Sequence, residues 1–262
     1  MMRSLNIGAT GMLAQQLNVE TISNNIANLS TTGFKRSRPE FQDLLYQNER
    51  RVGSASSDAG TTIPSGIQIG LGVRTAAVYR DHSQGNLLPT SNPLDLAVQG
   101  VGFFQVNLPT NEIAYTRAGA FQLSQNGEIV TADGYVVRPG LTIPQNALSI
   151  TVNTSGQVLV KISGTVDPQT IGQLQLTQFQ NPAGLQALGN NLFSETTASG
   201  QPIDGNPGSN NLGTMLQGFL ETSNVNVVSE ITNLITAQRA YEMNSRVIET
   251  SDQMLQTVSQ MR

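Results

Sequence analysis

The chain has 262 residues, a formal net charge of −4 and 12% charged residues, which is about half the share of a typical globular domain. It has no cysteine and a single histidine, which exclude disulfides, thiolate catalysis and cysteine or multi-histidine metal sites. With 5% aromatic residues and an acidic balance, it also does not carry the basic, base-stacking surface typical of nucleic-acid binding. The composition therefore favours neither a metalloenzyme nor a nucleic-acid-binding protein.

Residues 2–28 are predicted to form the first helix. Apolar residues recur in it every seven positions, at Leu5, Met12, Val19 and Ile26, with Ile22 in the same stripe. Only two charged residues precede position 34, so this helix is much poorer in charge than a solvated surface helix. It contains neither an 18-residue apolar run nor the continuous apolar centre of a signal peptide. We therefore expect no transmembrane helix and no Sec signal.

Turn chemistry ends this helix, and charge appears immediately afterwards. Asn28 and the stretch "STTG" before Phe34 are typical of a helix end followed by a turn. The basic cluster Lys35, Arg36 and Arg38 comes next. We interpret it as a solvated cluster or as a contact with acidic residues of a neighbouring copy, because three charges without nearby aromatic residues are a weak membrane or nucleic-acid signal.

The middle of the chain is predicted to be all-β over residues 70–200. The stretch "AFQLSQNGEIVTADGYVV" alternates in polarity and has tight turns at Asn126-Gly127 and Asp133-Gly134. "LSITVNTSGQVLVKI" is predicted to be a hairpin that turns at Ser155-Gly156, and "LDLAVQGVGFFQV" and "IGQLQLTQF" are predicted strands. Residues 46–66 are Ser/Gly-rich without periodicity and are predicted to be a long loop, as is "ASGQPIDGNPGSNNLG" after the β-rich region.

Residues 226–261 are predicted to form a second, longer helix. Val227, Leu234, Tyr241, Ile248 and Leu255 recur every seven residues, and a neighbouring stripe contains Val247 and Met254. The two terminal helices could form an intramolecular hairpin or pack among many copies. The scarcity of charge on the first helix favours packing among copies, because Ser, Asn, Gln and Thr are desolvated at much lower cost than ions.

Other chemical motifs are weak. The Gly-x-Gly pairs in "GIQIGLGV" and "GVGFFQV" do not continue into a dinucleotide fingerprint, so we interpret them as strand turns. His82 has no nucleophile in a suitable setting and is interpreted as an ordinary surface residue. The sequence does not exclude a pair of carboxylates for glycoside hydrolysis, but the acidic residues of the β-rich region lie mostly at turns. We predict no catalytic residue, no metal site and no cofactor.

Several blocks resemble one known family. "ANLSTTGFKR", "NPLDLAVQGVGFFQV", "YTRAGAFQLSQNGEIVTADGYVV" and the long block from Leu216 to Arg262 resemble the motifs of the flagellar rod and hook axial proteins, in the same order and from end to end. The family motif residues carried by this chain are Ala27, Asn28, Thr31, Gly33, Phe34, Lys35 and Arg36.

The resemblance implies a non-enzymatic tube of stacked subunits with an α+β fold. The terminal helices, 1–35 and 224–262, would pair as a coiled-coil-like inner domain. Residues 70–205 would form a β-rich outer domain, and residues 36–69 and 206–223 would connect them. The implied subunit interface in the helical core comprises Leu5, Met12, Val19, Ile22, Ile26, Val227, Ile231, Leu234, Tyr241, Val247, Ile248, Met254 and Leu255.

The segment 46–66 resembles the distal-rod members of that family. At 21 residues it is too long for a simple connector, with apolar anchors at Tyr46 and Ile63 and an exit set by Pro64 and Gly66. We expect it to order as an extended or hairpin-like arm that bridges adjacent subunits.

The distal-rod resemblance implies a rigid hollow drive shaft that transmits torque to the hook and conducts exported subunits. Its implied partners are further copies of the chain, proximal rod and hook proteins at its ends, the P and L ring proteins around it, and the type III export apparatus. It would lie in the flagellar basal body across the periplasm and outer membrane, with no nucleic acid or small-molecule substrate. The alternatives are a hook or proximal-rod role, or a secreted β-rich module that binds cell-wall glycan. An enzyme is the least favoured interpretation.

Overall fold

A computed structural model describes residues 2–50, 65–110, 112–164 and 167–260. The chain divides into two compact units. Unit 1 comprises Met1–Ile26, Ser37–Tyr79 and Val227–Arg262, and unit 2 comprises Ala27–Arg36 and Arg80–Asn226. This division differs from the predicted one, because the described residues of 37–79 lie with the helices and residues 206–223 lie within the β-rich unit.

Unit 1 contains two long helices, α1 (Met2–Ala27) and α2 (Val227–Gln260). Both agree with the predicted ranges to within a residue, so the expected α+β architecture with a helix at each end is confirmed. Glycines at two positions and several β-branched residues give α1 weak intrinsic propensity, so tertiary packing must supply much of its stability. Among the described residues, neither helix is long and apolar enough to cross a membrane.

Unit 1 also contains strands, and the sequence analysis missed those that begin before residue 70. Strand β1 (Ser37–Asp43) pairs with β4 (Val73–Arg80), and β2 (Tyr46–Arg50) pairs antiparallel with β3 (Ile67–Gly70). The predicted loop 46–66 is therefore wrong at its start, while residues 51–64 lie outside the described part of the chain. A two-stranded ribbon exposes both faces, so β2 shows no polar–apolar alternation that could have revealed it.

Unit 2 contains the β-rich region, with a single turn of 3-10 helix at Pro182–Gly184 among its described residues. Its strands are β5 (Leu87–Pro89), β6 (Leu96–Gln99), β7 (Phe103–Asn107), β8 (Ile113–Thr116), β9 (Gln122–Leu123), β10 (Ile129–Val130), β11 (Val136–Val137), β12 (Ala147–Val152), β13 (Gln157–Ile162), β14 (Gln169–Gln173), β15 (Leu176–Gln178), β16 (Gln186–Gly189), β17 (Leu192–Ser194), β18 (Ile203–Gly205), β19 (Thr214–Gln217) and β20 (Phe219–Glu221).

In the described part of unit 2, the largest sheet follows the order β16-β17-β8-β7-β11-β10-β9, and β15 joins β7 to β18. Strands β12, β13 and β14 form a second sheet, while β19 pairs with β6 and β20 pairs with β5. Phe104, Val106, Val158 and Leu176 are fully buried in one apolar core between these elements. Strands β19 and β20, which precede α2 in the sequence, thus pair within unit 2.

The predicted turns are confirmed. Gly127, Gly134 and Gly156 all have positive φ angles, which glycine adopts without strain, and each lies between antiparallel strands. The predicted loop 198–213 is only partly a loop, because β18 lies inside it and pairs with β15. Its Gly-, Pro- and Asn-rich composition hid a three-residue strand.

Candidate assembly surfaces and the buried junction of the signature motif

In unit 1, α1 and α2 run antiparallel and contact each other through polar side chains. Ser4 Oγ lies 3.2 Å from Ser251 Oγ near one end of the pair. Near the other end, Asn25 Nδ2 donates to Glu230 Oε2 at 3.2 Å. These two contacts fix the direction and register of the pair, because each joins residues far apart in sequence at opposite ends of α1.

Glycines let the helices approach between those polar contacts. A Cβ atom on Gly8 would lie 3.0 Å from Ile248 Cγ1, and one on Gly11 would lie 2.8 Å from Asn244 Nδ2. A side chain at Gly11 would therefore force Asn244 to move, whereas hydrogen fits. The two glycines weaken the isolated helix by about 1 kcal/mol each relative to alanine, and close packing offsets that cost.

The predicted apolar stripes lie beside this contact line. On α1, Ile22 is buried, while Leu5, Met12, Val19 and Ile26 are half-buried. On α2, Leu234, Ile248 and Leu255 are half-buried, whereas Val227, Ile231, Tyr241, Val247 and Met254 are exposed.

The structure therefore brings only part of the predicted interface together within one chain and leaves most of the α2 stripe uncovered. A surface groove of about 330 Å³ lies where the two helices meet, and Val19, Tyr241 and Glu242 are among the residues that line it.

The polar residues that form the intrachain contact were missed by the sequence analysis. Asn25 Nδ2 also donates to the Ser37 carbonyl oxygen at 2.9 Å, and the Ser37 amide donates to Asn25 Oδ1 at 2.9 Å. Asn25 and Glu230 are both buried, at 1% and 3% exposure. A signal was available, because small and polar residues recur every seven positions at Ser4, Gly11, Asn18 and Asn25, directly beside the apolar stripe.

The signature motif, the stretch "ANLSTTGFKR" at residues 27–36, lies in unit 2, and hydrogen bonds to its backbone groups hold it in place. The Gly33 amide donates to the Glu221 carbonyl oxygen at 2.8 Å, and Asn191 Nδ2 donates to the Thr32 carbonyl oxygen at 3.0 Å. Gly33 has φ +69°, and a Cβ there would lie 2.7 Å from the Ala118 backbone nitrogen. Only glycine fits this position on both counts.

Lys35 forms a buried ion pair in unit 2. Its Nζ lies 2.6 Å from Glu221 Oε1 and donates to the Ser83 carbonyl oxygen at 2.7 Å. Arg117 Nε donates to Glu221 Oε2 at 2.6 Å, and the Gly85 amide donates to Glu221 Oε1 at 2.9 Å. The interpretation of the basic cluster as solvated, or as a contact with another copy, is wrong for Lys35, which is 2% exposed and paired within its own chain.

The other members of the basic cluster are placed differently. The Arg36 amide donates to Asn224 Oδ1 at 2.8 Å, and the Asp81 amide donates to the Arg36 carbonyl oxygen at 2.9 Å. Arg38 is exposed. Of the remaining motif residues, Thr31 Oγ1 donates to Asn28 Oδ1 at 3.1 Å; Phe34 is half-buried and Ala27 is exposed.

Burial and neighbouring charges act in opposite directions on this pair. Burial outweighs the attraction of Glu221 and lowers the pKa of the Lys35 ammonium. For Glu221, burial by itself raises the pKa, but the cations of Arg117 and Lys35 more than offset it, so its pKa is lowered. We take the carboxylate of Glu221 as charged, since two cations and a backbone amide stabilise that form.

His82 is not an ordinary surface residue, contrary to its interpretation from sequence. Its ring packs edge-on against Phe103 and Phe193, with centroids 5.5 Å away in each case. Burial and the nearby cations of Lys35, Arg80 and Arg117 lower its pKa to about 4. Sequence periodicity carried no sign of this, because the aromatic partners lie in distant strands.

The ends of the predicted arm lie in the exposed ribbon of β2 and β3. Tyr46 pairs with Gly70 and is 55% exposed, and Gly66 immediately precedes β3. Ile63 and Pro64 lie outside the described residues. No group of three or more His, Cys, Asp or Glu side chains that could hold a metal ion occurs in the part of the chain that the structure describes.

Three family models match the chain in order. The flagella basal body rod protein model matches residues 5–35, the flagellar hook protein FlgE/F/G D1 domain model matches residues 97–160, and the flagellar basal body rod FlgEFG protein C-terminal model matches residues 216–261. These matches cover α1 with the signature motif, the core strands of unit 2, and α2. They define an axial protein of the flagellar rod and hook.

Relatives that match over almost the whole chain show which kind of rod and hook protein this chain resembles. The chain is 58% identical to the flagellar basal-body rod protein FlgG of Caulobacter vibrioides over 100% of both chains. It is 47% identical to the FlgG of Borreliella burgdorferi over 97% of both chains, and 38% identical to the FlgG of Bacillus subtilis over 98% of this chain and 97% of the relative. The chain therefore belongs to the flagellar basal-body rod protein family, as a structural subunit of the distal-rod type.

Proposed function

We propose that the chain assembles with further copies of itself into the rigid hollow shaft of the distal rod. The observation that carries this proposal is that the terminal helices use small and polar residues for their contact within one chain and leave large apolar residues exposed. Within one chain they contact each other at Ser4, Gly8, Gly11 and Asn25, while many large apolar side chains of α2 stay exposed. Those side chains need a partner, and another copy of the same helices supplies one of matching chemistry.

The uncovered apolar surface on α2 is extensive. Val228, Met243 and Met254 are 75%, 62% and 56% exposed, and six further large apolar residues of α2 are also exposed. Burying a side chain of this size is worth about 1.5–3 kcal/mol. Exposed stripes of this extent mark interaction surfaces in soluble proteins. Repeated in every copy, their burial would drive helical assembly.

We propose that the ribbon of β2 and β3 forms the base of an arm that contacts neighbouring subunits. Every residue of β2 is exposed, and Leu45 and Tyr46 are 83% and 55% exposed. An isolated two-stranded hairpin is marginally stable in water, so contacts with another subunit would stabilise it. Such contacts would restrict the sliding of subunits, which a drive shaft must resist.

In this proposal the assembled tube transmits motor torque to the hook and conducts exported subunits. Its partners would be proximal rod and hook proteins at its ends, the P and L ring proteins around it, and the type III export apparatus. The shaft would cross the periplasm and outer membrane, and export would proceed without a cleaved signal peptide. Family membership supports the flagellar basal-body location.

Electron microscopy of the concentrated full-length protein tests the proposal. We expect straight hollow tubes whose wall repeats one chain per helical step, with the terminal helices innermost. A chain that stays monomeric by analytical ultracentrifugation, even when seeded with isolated rod fragments, would contradict self-assembly.

A further inference from the structure

Unit 2 contains a cavity beside the Lys35–Glu221 pair. Its volume is about 270 Å³, and Lys35, His82, Phe103, Arg117 and the glycines of "GVG" line it. The cavity is larger than a small inorganic anion, and none of its lining residues is acidic. Neither the helix pair nor the arm uses these residues, so the proposed assembly leaves the cavity without a role.

Buried positive charge is in excess around this cavity. The side chains of Lys35 and Arg117 are 1% and 5% exposed, and both contact the single carboxylate of Glu221. The cation of Arg80 and the carboxylate of Asp81 also act on the nearby His82. Two buried cations thus share one buried carboxylate, and the half-buried Arg80 and Asp81 carry opposite charges. A buried charge without a counter-charge is costly, so an anion in the cavity would lower the free energy of the folded state.

Both buried cations keep one N–H donor that the described residues do not use. Lys35 has three N–H groups and donates to Ser83 and Glu221. Arg117 has five, and it donates from Nε to Glu221, from one terminal nitrogen to Gly102 and from the other to Val98 and Gly100.

A third unused polar atom belongs to His82. Its Nδ1 is buried and has no hydrogen-bond partner among the described residues. Buried polar atoms without a partner are rare in native proteins and point to a missing ligand or water. A neutral imidazole can carry a proton on this nitrogen and donate it.

We propose that this cavity binds a small inorganic oxyanion, of the class of phosphate or sulfate, between Lys35, Arg117 and His82. The negative charge compensates the excess of buried cations, and the oxygens accept from the unused donors. Three donors of different geometry favour a tetrahedral oxyanion over a spherical halide. Bound there, the anion stabilises the segment after α1 and the segment before α2, since Lys35 and Glu221 belong to those segments.

Isothermal titration with sodium phosphate tests the proposal. The full-length protein would be held monomeric by dilution in Tris-chloride at pH 7.5, with the ionic strength kept constant by exchange against sodium chloride. We expect saturable binding of one phosphate per chain, together with a saturable rise of the midpoint of thermal unfolding. Absence of saturable heat in the wild-type protein would overturn the proposal, whatever the behaviour of any variant.

His82→Phe is the informative variant, because it keeps an aromatic ring against Phe103 and Phe193 but removes the ring nitrogens. We expect phosphate to bind at least threefold more weakly to it. Lys161→Gln, which removes an exposed cation from β13, is the matched control and should bind as the wild type does. Equal weakening in both variants, or no weakening in His82→Phe, would mean that phosphate binds elsewhere on the surface.

Discussion

The Lys35 ammonium lies 2.6 Å from a carboxylate oxygen of Glu221, a residue 186 positions away in the sequence. Lys35 follows α1 and Glu221 ends β20, shortly before α2 begins. The pair therefore ties the two segments of unit 2 from which the chain continues into the terminal helices. The signature motif therefore stabilises unit 2 in two ways. Gly33 is required by the backbone conformation and close packing at its position, and Lys35 forms the buried ion pair with Glu221.

Replacing Glu221 with glutamine should strongly destabilise unit 2. The substitution leaves Lys35 and Arg117 buried without a carboxylate, and removal of one partner from a buried ion pair costs about 3–5 kcal/mol. Urea unfolding of the full-length protein, followed by the near-UV signal of the unit 2 tyrosines, measures this change. Glu112→Gln removes an exposed carboxylate from the same unit and should change the stability by less than about 0.5 kcal/mol. Similar unfolding curves for the two variants would argue against the charge role of Glu221.

Mild acid should destabilise unit 2 through His82. Burial, with the cations of Lys35, Arg80 and Arg117 and despite the carboxylate of Asp81, holds its pKa at about 4 in the folded state, below the ordinary value of 6.5. The unfolded chain then binds more protons, so the contribution of His82 is complete above pH 6.5 and declines as the pH falls to 4. By linkage the loss is about 3 kcal/mol at most.

His82→Phe removes this titration while keeping the aromatic ring. Urea midpoints measured at pH 7.0, 5.5 and 4.0 should fall less steeply for the variant than for the wild-type protein. Parallel curves for the two proteins would show that carboxylates alone cause the acid sensitivity.

Gly11→Leu should loosen the α1–α2 contact. A Cβ there already lies 2.8 Å from the Asn244 side chain, so a leucine forces the helices apart and costs about 1–3 kcal/mol despite its better helix propensity. Limited proteolysis of the dilute protein measures this change as faster cleavage within residues 2–27. Ser23→Leu, at an exposed α1 position, is the control and should not speed cleavage. Unchanged cleavage of Gly11→Leu would place the helix contact elsewhere.

Val247→Asp should block assembly without unfolding the chain. Val247 is 45% exposed in the single chain, so a carboxylate is tolerated there, but burial against another copy leaves it without a partner at a cost of several kcal/mol. Negative-stain microscopy should show no tubes, while circular dichroism matches the wild type. Glu249→Gln, an exposed neighbour that loses a charge, serves as the control. Normal tubes from Val247→Asp would mean that this position faces solvent or the lumen.

Shortening the arm should soften the shaft. Replacing residues 51–66 with Asn-Gly keeps strands β2 and β3 joined by a two-residue turn between the paired residues Arg50 and Ile67 and removes the rest of the segment. We expect tubes to form but to curve, because contacts that restrict sliding are lost. The persistence length of tubes in electron micrographs measures the effect. If tubes of this variant were straight, the segment would act only as a spacer and would not contribute to the stiffness of the shaft.

Features that depend on neighbours along the chain could be predicted from the amino-acid sequence. Heptad spacing predicted α1 and α2 to within a residue, and Asn-Gly, Asp-Gly and Ser-Gly pairs located the turns of unit 2, because helix periodicity and turn geometry are local. The end-to-end motifs identified the family.

The partners that the side chains meet depend on the tertiary structure. Lys35 was interpreted as a surface charge because its partner, Glu221, lies 186 positions away in the sequence. Strand β2 could not be predicted because all of its residues are exposed, so its sequence does not alternate between polar and apolar residues. The polar line from Ser4 to Asn25 was overlooked for a related reason, since hydrophobic periodicity cannot show which of two adjacent stripes a partner helix covers. Close packing at Gly8 and Gly11 brings small residues of α1 against α2, while most of the apolar stripe of α2 stays exposed.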